Sequence, residues 1–320
     1  MSMIRAKLQH KFFIFNNVKE FEVHIENVQI KLWSEAYTLS IEINGSQEIE
    51  KLKTMLFNLF SIIFLYLGSY PIILSIIVDD KELDLSELVS KYNTQPYFKS
   101  KNRAICSISE KTINDEIYRS YLELNQMPLY SMQYLFCDNY KNIIVTHRIT
   151  LLLHIIDGVV PDDVIDVMES EIKSVYDIKD RRIGKYALKV YYLCKNYFFN
   201  LDNSYNCEIL SLLGVTQYEF IQIVSDTRNW YSHFLDEDNK EKRLKDGLEQ
   251  WIYLEIIFYS IRLLLADQIG ININDDWIRE YFYSIHDWIS EIRGINKPYK
   301  SIAYKNSQAS EKWRILINGG

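Results

Sequence analysis

Residues 55–78 read MLFNLFSIIFLYLGSYPIILSIIV, and the way this uncharged run divides decides the fold. Taken whole, it exceeds the roughly 20 apolar residues that cross a bilayer. Gly68-Ser69-Tyr70-Pro71 interrupts it in the middle, and such residues punctuate a chain at turns. Upstream, Glu48, Glu50, Lys51 and Lys53 lie among Leu52, Leu56, Leu59, Phe60 and Ile63, the pattern of an amphipathic helix over 47–69. Downstream, Ile72-Ile73-Leu74-Ser75-Ile76-Ile77-Val78 is rich in β-branched residues, as a buried strand is. The expected reading is a helix, a turn and a strand at 72–79 inside a soluble domain, without membrane association. A bilayer-anchored effector is the competing one.

Before that run, residues 11–46 have β character. Phe12-Phe13-Ile14-Phe15 precedes an Asn-Asn turn, and Phe21, Val23, Ile25, Val28, Ile30 and Leu32 follow at near period two. Tyr37, Leu39, Ile41 and Ile43 alternate up to the turn signal Asn44-Gly45. After it, residues 92–112 are polar and read as a connecting arm. From 112 onward the apolar spacing is helical, with helices expected near 113–137, 142–158, 162–175, 184–200, 217–232, 240–268 and 275–292. In the long helix near 240–268, Leu244, Leu248, Trp251, Ile252, Leu254, Ile256, Phe258, Ile261 and Leu265 occupy most of the surface, which marks a buried central helix. The expected fold class is α+β in two domains: a small β-rich N-terminal domain over 1–100, putting sensing or regulation there, an all-α bundle over 110–295, and a tail over 296–320.

Composition agrees with a folded chain. Of the 320 residues, 48% are hydrophobic and 25% charged, which excludes a disordered or fibrous protein. The net charge of −7 argues against a surface that is basic all over. Cys106, Cys137, Cys194 and Cys207 form no CxxC pair, so a reducing, cytoplasmic setting is expected, without structural zinc or a disulfide framework. The first residues carry no long apolar core after Arg5 and Lys7, unlike a signal peptide.

Chemistry concentrates in Val224-Ser225-Asp226-Thr227-Arg228-Asn229-Trp230-Tyr231-Ser232-His233-Phe234. On a helix, Phe220, Val224, Thr227, Tyr231 and Phe234 share a packing side, while Gln222, Asp226, Asn229 and His233 form the opposite stripe, with Arg228 and Ser232 beside it. Burying a guanidinium, an amide, a hydroxyl and an imidazole without partners costs several kcal/mol, about 1–3 for each neutral group. They therefore face solvent or build a site. The bland alternative is that Arg-Asn is a common helical pair and a histidine at a helix end acts only as a cap or dipole partner.

At these residues the sequence resembles HEPN domains, helical bundles many of which are ribonucleases: Arg228-Asn229-x-x-x-His233 matches their Arg-x4–6-His signature. The flank Asp226-Thr227-Arg228-Asn229-Trp230-Tyr231-Ser232-His233 is most similar to the ApeA-like branch, which sets its bundle after a β-rich domain. In fold the resemblance covers roughly residues 110–295. It implies an endoribonuclease that needs no metal or other cofactor. Two protomers of a homodimer would build a composite cleft from Arg228 and His233 of each. Cleavage through the ribose 2′-hydroxyl needs proton transfer, which an imidazole of ordinary pKa near 6.5 performs at neutral pH. It also needs charge stabilised on phosphate, which a guanidinium supplies. Asn229 would orient the histidine or the phosphate, with Ser232 and Asp226 as accessories. Asp157 fits the place of an acidic residue late in an earlier helix of that branch. The implied products are a 2′,3′-cyclic phosphate and a 5′-hydroxyl. The implied setting is abortive-infection defence, with cellular RNA, tRNA included, as substrate and a phage-derived trigger as partner. A bundle that dimerises or binds nucleic acid without cutting it is the alternative.

Other features weigh less. His147 and His154 lie seven apart with Asp157 a turn further, but two helical metal ligands are usually four apart, so core or surface histidines are the expected reading. Lys179, Arg181, Arg182, Lys185 and Lys189 form one basic group, of a kind that is usually a solvated face. Lys240, Lys242, Arg243 and Lys245 form another, and their closeness to His233 makes them the better candidates for RNA phosphates. No P-loop, dinucleotide fingerprint, nucleophile elbow or HExxH motif occurs.

Overall fold

The structure, a computed structural model, describes residues 2–9, 18–35, 38–69, 71–85, 104–135, 145–178, 182–199, 204–233, 244, 247–273 and 275–292. The Phe12–Phe15 strand, most of the 92–112 arm and the 296–320 tail lie outside these residues. The chain is mixed α+β, an antiparallel sheet followed by helices. It forms two compact units that are not contiguous in sequence. One takes 1–96, 103–143 and 262–277; the other takes 97–102, 144–261 and 278–320. Domain limits drawn in chain order miss this interleaving, because the last part of one long helix groups with the sheet.

In the first unit, strands β1 (Ser2–Gln9), β2 (Phe21–Ile25), β3 (Val28–Glu35), β4 (Thr38–Gly45), β5 (Ile72–Val78) and β6 (Lys81–Glu82) form one sheet in the order β2-β3-β4-β1-β5-β6. Every adjacent pair is antiparallel. Period-two alternation turns Ile4, Ala6 and Leu8 of β1 and Leu39, Ile41 and Ile43 of β4 into the core. Arg5 and Lys7 point out, and Arg5 pairs across the sheet with Glu42 at 2.6 Å. The two-residue hairpins at Glu26-Asn27 and Asp79-Asp80 have positive φ at both positions, the turn that matches strand twist.

Helix α1 (Ile49–Leu67) packs on β1 and β4. Gly68, at φ 68°, ends it in a left-handed conformation and donates its N–H to Phe64 O at 2.7 Å. The uncharged run is therefore helix, turn and strand. No helix among the described residues is long and apolar enough to cross a membrane. Helices α2 (Asp115–Glu123) and α3 (Gln126–Leu135) replace the single helix expected near 113–137. The break falls at Leu124, which is extended, and the Asn125 side chain accepts from Met127 N at 3.2 Å as a cap does.

The second unit is helical: α4 (Val145–Val159), α5 (Ile165–Val175), α6 (Lys185–Cys194, continuing as a π-helical turn through Phe199), α7 (Ser204–Leu213) and α8 (Gln217–His233). With them stand Gly247–Ile261 of α9 (Gly247–Gln268) and all but the first turn of α10 (Asp275–Ile292). Every residue of α9 from Gln250 to Ile261 is buried, as its nearly all-round apolar surface requires. Tyr253 stacks on Phe220 with ring centroids 4.4 Å apart, and Tyr259 stacks on Tyr281 at 3.8 Å. Helix α7 has no counterpart among the expected elements.

Candidate functional site

Helix α8 is fixed first by its buried side. Phe220, Val224 and Thr227 are fully buried. The Thr227 hydroxyl donates to Ile223 O at 2.6 Å and accepts from Leu244 N at 3.1 Å. Gln250 completes this layer: its Nε2 donates to Leu244 O and Tyr231 Oη, at 3.1 and 3.2 Å, and its Oε1 accepts from Thr146 at 2.6 Å. With their partners supplied from three helices, these buried polar groups orient α8 as well as stabilise it.

Where α8 packs on α4 and α6, Arg228, Asn229 and Ser232 are only partly covered. There the Arg228 guanidinium donates from Nη2 to Asp157 Oδ2 at 3.0 Å and from Nη1 to Asn229 Oδ1 at 3.3 Å. Its Cζ lies 5.0 Å from the centre of the Tyr186 ring, within cation–π range. Arg228 is thus held by a carboxylate, an amide and an aromatic face, and its side chain is 22% exposed. Tyr186 is itself anchored, donating to Leu153 O at 2.8 Å. Burial pushes its phenol well above the usual tyrosine range, and the neighbouring Asp157 charge adds to that while Arg228 opposes it. It is therefore a neutral platform at any working pH, not an acid or base.

Asp157 is positioned from behind. The buried Lys189 ammonium donates to the Asp157 carbonyl at 3.0 Å and pairs with Asp162 at 2.8 Å. A cation at the end of α4 opposes the negative end of the helix dipole. Asp162 is also bridged by Lys185 at 2.7 Å. The hydrogen bond from Lys185, joined by that from Lys189, holds its carboxyl down at about 2.

One turn along α8 the Ser232 hydroxyl lies 3.1 Å from His154 Nε2 of α4. The structure thus brings together Arg228, Asn229 and Asp157, and places Ser232 beside them with His154. Asp226 is exposed on α8. His233 is the last residue of α8, but its side chain lies outside the described residues, as do Lys240, Lys242, Arg243 and Lys245. His147 is exposed on α4. Among the described residues no group of three His, Cys, Asp or Glu side chains is arranged to hold a metal ion.

His154 and Tyr186 are the members that sequence reading missed as parts of the site. His154 appeared only as half of an unpromising metal pair. Tyr186 gave no signal, because its role depends on which helix packs against α8. Comparison with known proteins found no matching family model, no matching curated protein and no matching solved structure.

Proposed function

We propose that this protein is an endoribonuclease of the HEPN type, acting without a metal through the residues at the C-terminal end of α8. The observation that carries the reading is the Arg228 assembly. An arginine fixed by Asp157, Asn229 and the Tyr186 face, still partly open to solvent, stands five residues before the end of α8, where His233 lies. Such a guanidinium is pre-oriented to meet a phosphate oxygen as charge grows on it.

In this mechanism an RNA phosphodiester docks against Arg228. An imidazole takes the proton of the 2′-hydroxyl, the 2′-oxygen attacks phosphorus, and the bond to the 5′-oxygen breaks. That oxygen leaves with a proton supplied by an imidazolium, giving a 2′,3′-cyclic phosphate and a 5′-hydroxyl. His233 performs one of these transfers, typically worth about 10²–10⁴ in rate. Homodimerisation through the motif helices would bring two such sets together around one cleft. A defence role, in which cellular RNA is cut after a phage-derived trigger, is the setting this chemistry suits.

A second reading is favoured by the same geometry. Because Arg228 already has a carboxylate partner, the assembly also suits a module that binds an anion or a partner helix without cutting. Purified protein incubated with tRNA and with mixed cellular RNA separates the two. Cleavage to 5′-hydroxyl ends, lost in Arg228→Ala and His233→Ala, supports the nuclease. Binding without new termini supports the module.

A further inference from the structure

We propose that His154 is a second proton-transfer imidazole of this site, contributed by a helix other than α8. The proposal rests on the ribonuclease reading above and adds to it a residue from a different helix.

Two contacts define the geometry. Asp157 meets Arg228 at 3.0 Å and His154 meets Ser232 at 3.1 Å. As the residue number rises on α4 it falls on α8, so the helices run antiparallel and the two pairs are successive rungs. Three residues on α4 and four on α8 rise about 4.5 and 6 Å, so the guanidinium and the imidazole stand roughly 5 Å apart along the helices. That spacing lets the guanidinium hold a non-bridging oxygen of a phosphodiester while an imidazole reaches its 2′- or 5′-oxygen. His154 is exposed, so a substrate has access to it.

The chemistry of the Ser232 contact matters as much as its place. Ser232 offers a hydroxyl, which both donates and accepts. The contact therefore survives protonation of Nε2: the hydroxyl donates to the neutral ring and accepts from the imidazolium. A backbone carbonyl or a carboxylate would favour one form only. Ser232 thus steadies the ring in either protonation state, which suits a group that cycles between acid and base.

The titratable and charged groups on the three packed helices include His147, Arg148 and Asp157 on α4, Lys185, Tyr186 and Lys189 on α6, and Asp226, Arg228 and Tyr231 on α8. Of these, Asp157 is engaged with Arg228, Lys189 with the Asp157 carbonyl and Asp162, and Tyr186 with the Leu153 carbonyl. The proton balance closes with two imidazoles. The one that is neutral gains the proton of the 2′-hydroxyl, and the one that is protonated gives its proton to the departing 5′-oxygen. His154 and His233 exchange these states between turnovers through solvent.

Single-turnover cleavage of an RNA oligonucleotide across pH 5–9 by full-length protein carrying His154→Ala, His154→Asn or Ser232→Ala tests this. Expected are a rate loss of about 10² or more in both His154 variants and loss of one limb of the bell-shaped pH profile. Ser232→Ala should keep both limbs. Wild-type rates in the His154 variants, with Arg228→Ala inactive, overturn the proposal and leave the ribonuclease reading standing. An equal loss in all three variants with both limbs retained also overturns it, since His154 then only braces α8. A wild-type protein that cleaves no RNA overturns both.

Discussion

Asp157 and Arg228 are 71 residues apart in the chain, yet their side chains form a 3.0 Å ion pair that joins the end of α4 to the surface side of α8. The pair is half-open, with side-chain exposures of 39% and 22%, so its value for stability is at most about 1 kcal/mol. On the ribonuclease reading, its contribution is to orient Arg228.

Asp157→Ala should therefore leave the fold intact and lower the rate of RNA cleavage. A loss of about 10–10² in kcat with little change in KM is expected, because a misplaced guanidinium fails the transition state more than the ground state. Steady-state kinetics beside a denaturation curve measure both. Faster cleavage would make Asp157 a restraint that competes with phosphate for Arg228.

Thr227 links the packing of α8 to the segment after it. Replacing it by valine keeps the shape but leaves the Leu244 N–H without its acceptor, at a cost of about 1–3 kcal/mol. Thr227→Ser keeps the hydroxyl and should lose less. Chemical denaturation of the two variants distinguishes the hydrogen bond from the methyl contact.

In the sheet-bearing unit the Arg262 side chain, fully buried, donates from Nε to Leu65 O at 2.9 Å and from Nη2 to Leu65 O and Tyr66 O at 2.7 and 2.9 Å. It thus places a cation on the carbonyl end of α1. A Cβ on Gly68 would collide with the same guanidinium, and the residue's positive φ disfavours any side chain. Arg262→Ala should cost about 3–5 kcal/mol, and Arg262→Lys should not restore it, since an ammonium cannot reproduce the fork. Thermal unfolding, with Gly68→Ala as a second destabilised variant, checks this.

Acid should unlock the far end of α4. The Asp162 carboxyl is held at about 2, below its ordinary 3.8, by Lys185 first and Lys189 second. A depressed acid stabilises the fold above its unfolded pKa and loses that contribution as pH falls through the folded value. The stability difference between wild type and Asp162→Asn should thus be full at pH 6 and vanish as pH falls from about 4 to about 2. Urea midpoints at several pH values measure it. A difference that does not change with pH would contradict the lysine clamp.

Much of this architecture was legible in the residues. Helix α1, the turn at Gly68, strand β5 and the buried α9 follow from apolar spacing and punctuation. The alternation Ile4, Ala6, Leu8 against Arg5, Lys7 is equally plain, and this segment, expected only to lack a signal peptide, is β1, between β4 and β5. Asn125 signalled the break between α2 and α3; a continuous apolar pattern across it hid the signal. Helix α7 is short, and its side chains lack a strong one-sided pattern. Of the packing side expected for α8, Phe220, Val224 and Thr227 are buried, Tyr231 is half-buried and Phe234 lies outside the described residues. The surface side was legible only along the chain. That Arg228 would meet Asp157 and Tyr186, and Ser232 would meet His154, depends on helix packing, and local spacing carries no record of it.

The most direct test of the ribonuclease reading is sequencing of RNA 5′-hydroxyl ends after induction of wild type, Arg228→Ala and His233→Ala in the same cells. New 5′-hydroxyl ends at defined positions with wild type, and none with either variant, are the expected result. The same ends at the same abundance in all three, or none in any, would contradict it.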